Sequence, residues 1–242
     1  TGRPLFLEKP RPCANMGPVN MVTVRVEGGK PSQYPPGMRV TDLPLPAASR
    51  SGLPIIGALV NNNVSSVSYP LTVTSEVKFL TMADPHGWRL YRNSLCFLLA
   101  KAIHDLFPRA VFSIEHSFGP ALYCTFHATP SSHEGITASQ LHAINRRMRL
   151  LVRRSLPIER RKLSFQDAVR QFEQAGQNDK AGLLKYRNPP NVVIHWCDGF
   201  SDLAHGPLVP ATNVLTRFKL IRYRPGFLLH MPERESPRRL PP

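Results

Sequence analysis

The chain has 242 residues, of which 42% are apolar and 19% are charged. This composition supports a packed core and excludes a wholly disordered chain. The 31 Lys+Arg residues outnumber the 16 Asp+Glu residues, which gives a formal net charge of +15. Arginine accounts for 23 of the basic residues and favours bidentate contact with phosphate groups. No apolar run approaches the roughly 20 residues of a membrane-spanning helix, so no membrane span is predicted.

The two ends of the chain are predicted to lie outside the globular part. Residues 1–19 contain several prolines without hydrophobic periodicity, which predicts an extended N-terminal arm. Residues 233–242 are basic and rich in proline, which predicts a tail or linker. Because the chain opens on Thr1 rather than on Met, we expect it to be a processed protein or part of a longer one.

A first globular unit is predicted over residues 20–82. Val22–Val26 alternates apolar and polar side chains, as a half-buried strand does, and Gly28-Gly29 follows as a turn. Further short strands are predicted over residues 32–34, 58–60, 67–71 and 77–80. Four or five short strands in about 60 residues predict a small mixed sheet crossed by one helix or loop.

A second unit, with both helices and strands, is predicted over residues 87–232. The apolar spacing predicts amphipathic helices over residues 91–107 and 137–154. A third helix is predicted to begin at Ser164, where Asp167 completes a partial capping box. The remaining segments favour strands, namely residues 111–114, 121–127, 192–196, 215–223 and 227–231. The fold class predicted for the whole chain is therefore α+β.

The first unit resembles the TGS domain, the ubiquitin-like (β-grasp) module at the start of threonyl-tRNA synthetases and of some GTPases. The resemblance rests on an ordered set of short motifs. They are the opening strand with its GG turn, Tyr34-Pro35-Pro36-Gly37, Ala58–Asn62, Tyr69-Pro70-Leu71 and Ser75-Glu-Val-Lys-Phe79. A proline-containing insertion, residues 44–54, replaces the usual helix.

The second unit resembles the second, editing domain of threonyl-tRNA synthetases. Four segments carry this resemblance, and with the TGS-like unit it spans residues 20–232. They are residues 93–108, 114–124, 222–227 and the loop Cys197-Asp-Gly-Phe-Ser-Asp-Leu-Ala-His-Gly-Pro-Leu-Val-Pro210.

Two further families share this pair of domains. One is a mitochondrial large-ribosomal-subunit protein descended from the synthetase. The other is a group of uridine-kinase-like proteins that carry the pair ahead of a P-loop kinase domain, and Glu115-His116-Ser117 and Arg224–Leu228 look most like that version. Sequence alone leaves both relationships open, together with a free-standing tRNA-binding or editing-like factor.

The resemblance implies where an editing site would lie. In the family, two helix histidines four residues apart and a cysteine and a histidine of the loop form the site. Those positions correspond here to Asn93, Phe97, Cys197 and Leu208. Three of the four groups are therefore missing, and we expect neither a bound metal nor a general base at this place. The chain is expected not to be an enzyme and to need no cofactor or small-molecule substrate.

Other chemistry-bearing residues offer no better site. His116, His195 and His205 could build an improvised centre, but strand or loop histidines more often form ordinary hydrogen bonds. Phosphoryl transfer is not supported because no GxxxxGK[ST] motif occurs. The four cysteines (Cys13, Cys96, Cys124 and Cys197) form no CxxC pair and are predicted to be reduced, buried thiols rather than disulfides or zinc ligands.

A basic segment is the strongest remaining clue to function. Between residues 137 and 162 there is one acidic residue, Glu159, against eight basic residues that are candidates for RNA contact. They are Arg146, Arg147, Arg149, Arg153, Arg154, Arg160, Arg161 and Lys162. On the helix, the spacing places most of these arginines opposite the apolar stripe that contains Leu141 and Met148. Phosphate contacts of this kind position a protein on RNA without reading its sequence.

These observations favour a non-catalytic structural component of a mitochondrial large ribosomal subunit. Its expected partners are ribosomal RNA and neighbouring ribosomal proteins, and its expected location is the mitochondrion. The alternative is the N-terminal, regulatory or nucleic-acid-binding half of a uridine-kinase-like protein.

Overall fold

The computed structural model describes residues 21–44, 52–132, 134–187, 190–204 and 206–241. The predicted N-terminal arm, residues 1–19, lies outside these ranges, as do Cys13 and His205. Among the described residues, none of the helices combines the length and the apolar character that a bilayer crossing requires.

The N-terminal part is a small mixed sheet, as the alternating pattern of Val22–Val26 and the later short strands predicted. Its strands are β1 (Val22–Val26), β2 (Ser32–Tyr34), β3 (Met38–Arg39), β4 (Gly57–Val60), β5 (Asn63–Ser65), β6 (Pro70–Leu71) and β7 (Ser75–Leu80). Strands β3 and β6 pair with each other as a separate two-stranded sheet. The main sheet has the order β2-β1-β7-β4-β5, with β1 and β7 parallel and the other pairs antiparallel. Val22 and Val24 are buried while Arg25 is exposed.

The remaining chain alternates helices with antiparallel strands. Its elements are α1 (Pro85–Leu106), β8 (Val111–Phe118), β9 (Ala121–His127), α2 (Ala138–Arg154), β10 (Glu159–Ser164), α3 (Phe165–Gln174), α4 (Asn178–Arg187), β11 (Asn191–Cys197), β12 (Phe200–Asp202), β13 (Lys219–Tyr223) and β14 (Gly226–His230). They form a four-stranded sheet, β13-β14-β9-β8, and a three-stranded sheet, β10-β11-β12. The α+β class predicted from the sequence is confirmed.

The largest core lies between the four-stranded sheet and the long helices. Leu98 of α1 and Met148 of α2 are fully buried there, together with Phe126 and Phe227 from the inner face of the sheet. Helix α2 begins where the sequence predicts, because Thr137 accepts a hydrogen bond from the Gln140 amide and completes a capping box. The predicted boundary between units, at residues 82–87, stays a prediction.

Several elements differ from the prediction. The short strands β3, β5 and β12 were not predicted, and the strand predicted over residues 67–71 is confined to Pro70–Leu71. Three further differences have a physical reason. Helix α1 begins six residues before Tyr91, with Pro85 in its first turn, a position that tolerates the missing amide. Strand β10 was not predicted because its sequence, ERRKLS, is almost entirely polar, and it is held by pairing with β11 from Glu159–Trp196 to Ser164–Asn191. Helix α4 was also missed, because in it only Ala181 and Leu184 are buried.

Candidate functional site

A cleft of about 1030 Å³ opens between α1, β8, the turn that joins α3 to α4, and the segment after β12. Asn93 and Phe97, which lie four residues apart on α1, both line it. Cys197 and Leu208, the two positions contributed by the loop, do not line the cleft and are 0% and 2% exposed. The surface of the cleft therefore receives only two of the four positions that correspond to an editing site.

Apolar packing replaces the chemistry that a hydrolytic site would need. Phe97 contacts the Phe200 ring with 5.3 Å between centroids, and Phe97, Cys197 and Leu208 all belong to the main core. Burial raises the pKa of the Cys197 thiol to about 11, so this cysteine is a protonated core side chain at neutral pH. In the described part of the chain, no group of three or more His, Cys, Asp or Glu side chains could hold a metal ion.

The two predicted histidines that the structure describes, His116 and His195, lie apart from each other. His116 is exposed on β8, whereas His195 is buried in β11, in the other sheet of this region. Neither ring nitrogen of His195 has a hydrogen-bond partner among the described residues. Burial lowers the pKa of His195 to about 4, with a smaller contribution from Arg160, so the ring is neutral near pH 7.

An ion-pair network beside Cys197 was not predicted from the sequence. Lys101 is 1% exposed, and its ammonium group donates to the Asp198 carbonyl at 2.9 Å and to Asp105 Oδ1 at 3.3 Å. Arg147 donates to Asp105 Oδ2 at 2.7 Å, and Arg154 donates to Asp198 Oδ2 at 3.1 Å. The network joins α1, α2 and the turn after β11. Its one sequence signal is a lysine within the apolar stripe of α1.

The eight basic residues predicted to contact RNA differ in their surroundings, because some bind neighbouring elements of the fold and others are exposed. Arg149 lies over the Phe218 ring at 4.1 Å and donates to the carbonyls of Thr216, at 2.8 Å, and Phe218, at 2.6 Å. Arg147 is engaged with Asp105. These two guanidinium groups hold α2 to its neighbours and do not extend freely from the helix, so we leave both out of the surface described next.

Four of the remaining residues form what we call the cationic surface, which comprises Arg146, Arg153, Arg160 and Lys162. Arg146 and Arg153 are exposed and seven residues apart, about two turns, so they share a face of α2. Arg160 and Lys162 are exposed on the same face of β10. Within the described ranges, none of the four forms an ion pair.

Arg154 and Arg161 are partly committed to internal contacts. Arg154 pairs with Asp198, and each side chain is at least 40% exposed. Arg161 pairs with Glu159 at 2.8 Å and lies 4.7 Å from the Trp196 ring centroid. Both stay candidates for RNA contact.

Comparison with known proteins supports a distant relationship. No protein-family model matches the chain. Over 202 residues, or 84% of its length, it is 27% identical to the threonine–tRNA ligases of Francisella tularensis subsp. novicida (strain U112) and of subsp. tularensis (strain SCHU S4). The chain is related to threonyl-tRNA synthetases.

That similarity supports the resemblance to threonyl-tRNA synthetases as a whole and leaves both the TGS and the editing-domain assignments predictions. The chain spans about a third of the length of the curated relatives that it matches, since the aligned region is 31% of each.

Proposed function

We propose that this protein is a non-catalytic, RNA-contacting structural component of the mitochondrial large ribosomal subunit, built from synthetase-derived domains. Its partners on this proposal are ribosomal RNA and neighbouring ribosomal proteins. The observation that carries the proposal is the contrast between an apolar, degenerate editing site and an exposed cationic surface on the same unit. Such a chain keeps an RNA-related fold while lacking the groups for hydrolysis.

The degenerate site supports the non-catalytic part of the proposal. Attack on an ester needs an activated water or nucleophile with a base within hydrogen-bond reach. Phe97 and Leu208 stand at two positions that carry histidine in the resembled family, and both side chains are buried in the core. The remaining thiol, Cys197, is buried and protonated.

The charge distribution supports the RNA-contacting part. The related ligases act on tRNA, by their names, and this chain carries a net charge of +15. Arg146, Arg153, Arg160 and Lys162 are exposed without neutralising partners among the described residues. Each phosphate contact adds to the salt dependence of binding, so four to six contacts give a slope of about −4 to −5 in log K against log salt for duplex RNA, taken as similar to DNA.

The test is incorporation into the large subunit after charge reversal of the cationic surface. The variant Arg146→Glu, Arg153→Glu should be lost from the subunit while its free energy of unfolding stays within about 0.5 kcal/mol of wild type. The matched control, Arg25→Glu, Lys30→Glu, makes the same charge change at an exposed position of β1 and in the turn that follows it and should be incorporated. Equal incorporation of both variants would contradict the assignment of this surface to RNA.

A further inference from the structure

Strand β8 presents its open edge to the cleft described above. It is the last strand in the order β13-β14-β9-β8, and among the described residues it pairs only with β9. Residues 111–114 of β8 all line the cleft. Because successive side chains of a strand point to opposite faces, a cleft lined by four consecutive residues runs along the edge of the strand. Strand β12 contributes one face instead, since Phe200 and Asp202 line the cleft but Ser201 between them does not.

The open edge of β8 has backbone groups available to a further strand. In an antiparallel ladder, every second residue bonds to the partner strand, and the residues between direct their N–H and C=O groups away from it. The pairing with β9 is regular over residues 111–114, and the irregularity of the ladder lies beyond them, between Ile114 and His116. In the part of the chain that the structure describes, no other backbone hydrogen bond reaches residues 111–114. An edge of this kind can take up an extended peptide by strand addition.

The side of the cleft formed by α1 is apolar. Ala100 and Ile103 line it, together with Phe97, which is 4% exposed and packs on Phe200 of β12 with 5.3 Å between the ring centroids. Phe200 is itself 3% exposed, so these two rings offer no bare face for stacking a nucleic-acid base. An extended segment beside β8 would direct alternate side chains toward α1. The cleft therefore favours a segment with apolar side chains at those alternate positions.

Two arginines lie near the two ends of this edge. Arg109 is exposed two residues before Val111, and Arg92 donates to Ser117 Oγ, near the far end of β8, at 3.2 Å. Both arginines line the cleft, and neither forms an ion pair with a carboxylate of the described residues. The stretch from Val111 to Ser117 spans about 20 Å at about 3.4 Å per residue. A partner segment of about seven residues with a carboxylate near each end would complement this charge.

The other charged groups that line the cleft do not cancel these two arginines. Lys180 of α4 is paired with Asp202, with 2.6 Å between Nζ and Oδ1. Asp179 also lines the cleft and lies in the first turn of α4, where the helix dipole favours a negative charge. Glu115 of β8 does not line the cleft. Within the described residues, the lining therefore has two arginines against one carboxylate outside an ion pair, which favours acidic over basic ends in a partner.

We propose that the cleft holds an extended segment of a neighbouring protein, added to β8 as a further strand. Backbone groups of the segment bond to the edge at residues 111–114, and its alternate apolar side chains face α1. A carboxylate near each end of the segment contacts Arg109 or Arg92. This inference rests on the proposed function in one respect, since the segment belongs to a neighbouring protein of the ribosomal subunit. Contact with RNA stays on the cationic surface.

The experiment selects a probe peptide and then alters its backbone. A displayed library of segments of about seven random residues is panned on the full 242-residue chain after counter-selection on the variant Arg92→Glu, Arg109→Glu. The selected peptide is synthesised with blocked ends, and its binding is measured by fluorescence anisotropy. Two further versions carry N-methyl groups on alternate amides, one at odd and one at even positions. One version should bind at least about tenfold more weakly and the other like the parent peptide, because only every second amide faces β8.

An exchange of charge tests the two ends of the segment. Lysine replaces the carboxylates at the ends of the selected peptide. The exchanged peptide should bind Arg92→Glu, Arg109→Glu at least about fivefold more tightly than it binds wild type, which also shows that the variant is folded. The matched control Arg25→Glu, Lys30→Glu changes two positions that do not line the cleft and should bind the parent peptide like wild type.

Several results would overturn strand addition to β8. Selection might yield no peptide that depends on the two arginines, or the two N-methylated versions might bind equally well or equally weakly. Displacement of the peptide by a single-stranded RNA would make RNA the occupant of the cleft. A photo-cross-linker introduced at Val111 that attaches to this chain instead of the peptide would make another segment, or a second copy, the occupant.

The proposed function is tested separately. If peptide binding fails, loss of Arg146→Glu, Arg153→Glu from the large subunit still supports the proposed function. If peptide binding succeeds but the wild-type protein is absent from the subunit, the proposed function fails and the peptide site on β8 stands.

Discussion

Arg149 and Arg146 lie three residues apart on α2 but should have very different effects on stability. Arg149 donates two hydrogen bonds to backbone carbonyls and covers the buried Phe218 ring. A hydrogen bond from a charged group contributes about 1.5 kcal/mol at the low end, and the cation–π contact adds about 0.5–1 kcal/mol. With two such hydrogen bonds, Arg149→Ala should therefore lower the free energy of unfolding by about 3.5–4 kcal/mol.

Arg146→Ala is the matched control because it removes the same side chain from the same helix at an exposed position. It should change stability by less than about 0.5 kcal/mol. Urea denaturation followed by circular dichroism measures both, and the denaturant dependence should stay constant while only the midpoint moves. If Arg149→Ala is as stable as Arg146→Ala, the contacts of Arg149 do not hold α2 against the segment that precedes β13, and the division of the basic residues is wrong.

Three further predictions concern buried polar groups. Because burial lowers the pKa of His195 to about 4, only the unfolded chain binds this proton between about pH 6.5 and 4, and stability is lost as pH falls through that window. In that window wild type should lose about 3 kcal/mol more than His195→Phe. Cys197, with a pKa raised to about 11, should resist iodoacetamide in the folded protein and react on unfolding, which mass spectrometry would detect; alkylation at the rate of a free thiol would contradict its burial. Asp105→Ala should destabilise the protein by about 3–5 kcal/mol, because it removes a carboxylate partner from the buried Lys101. Asp198→Ala, at a side chain that is 40% exposed, should cost less than about 1 kcal/mol. Thermal melting measures both variants, and similar losses of stability would refute the difference expected between them.

The amphipathic helices and the alternating strands could be predicted from the sequence, because burial of one face sets the spacing of their apolar residues. The stripe on α2 and its capping box at Thr137 identify that helix without any tertiary information. Strand β10 could not be predicted in this way, because its polar sequence is stabilised by pairing with β11, which is about 30 residues away in the chain.

The candidate site also has some features that the sequence reveals and others that only the structure reveals. The absence of histidine at Phe97 and Leu208, the positions that the resemblance assigns to an editing site, could be seen from the sequence alone, since no fold can restore an imidazole. The roles of Arg147 and Arg149 could not be seen, because helical spacing identifies which side of α2 an arginine occupies but not what tertiary structure brings to it. Arg147 meets Asp105 of α1, and Arg149 meets the segment just before β13. The contact between the Tyr123 and Tyr223 rings likewise depends on the cross-strand register, since these residues lie 100 positions apart in the chain.

Sedimentation of the endogenous protein through a sucrose gradient tests whether this chain is a component of the mitochondrial large ribosomal subunit. The lysate is divided between low and moderate salt, and fractions are probed for this chain and for a marker of the mitochondrial large subunit. If it is such a component, the protein should co-migrate with the large subunit, and the co-migration should persist at moderate salt. Migration apart from the subunit, as a larger species whose mass includes a P-loop domain, would contradict it and support the uridine-kinase-like alternative.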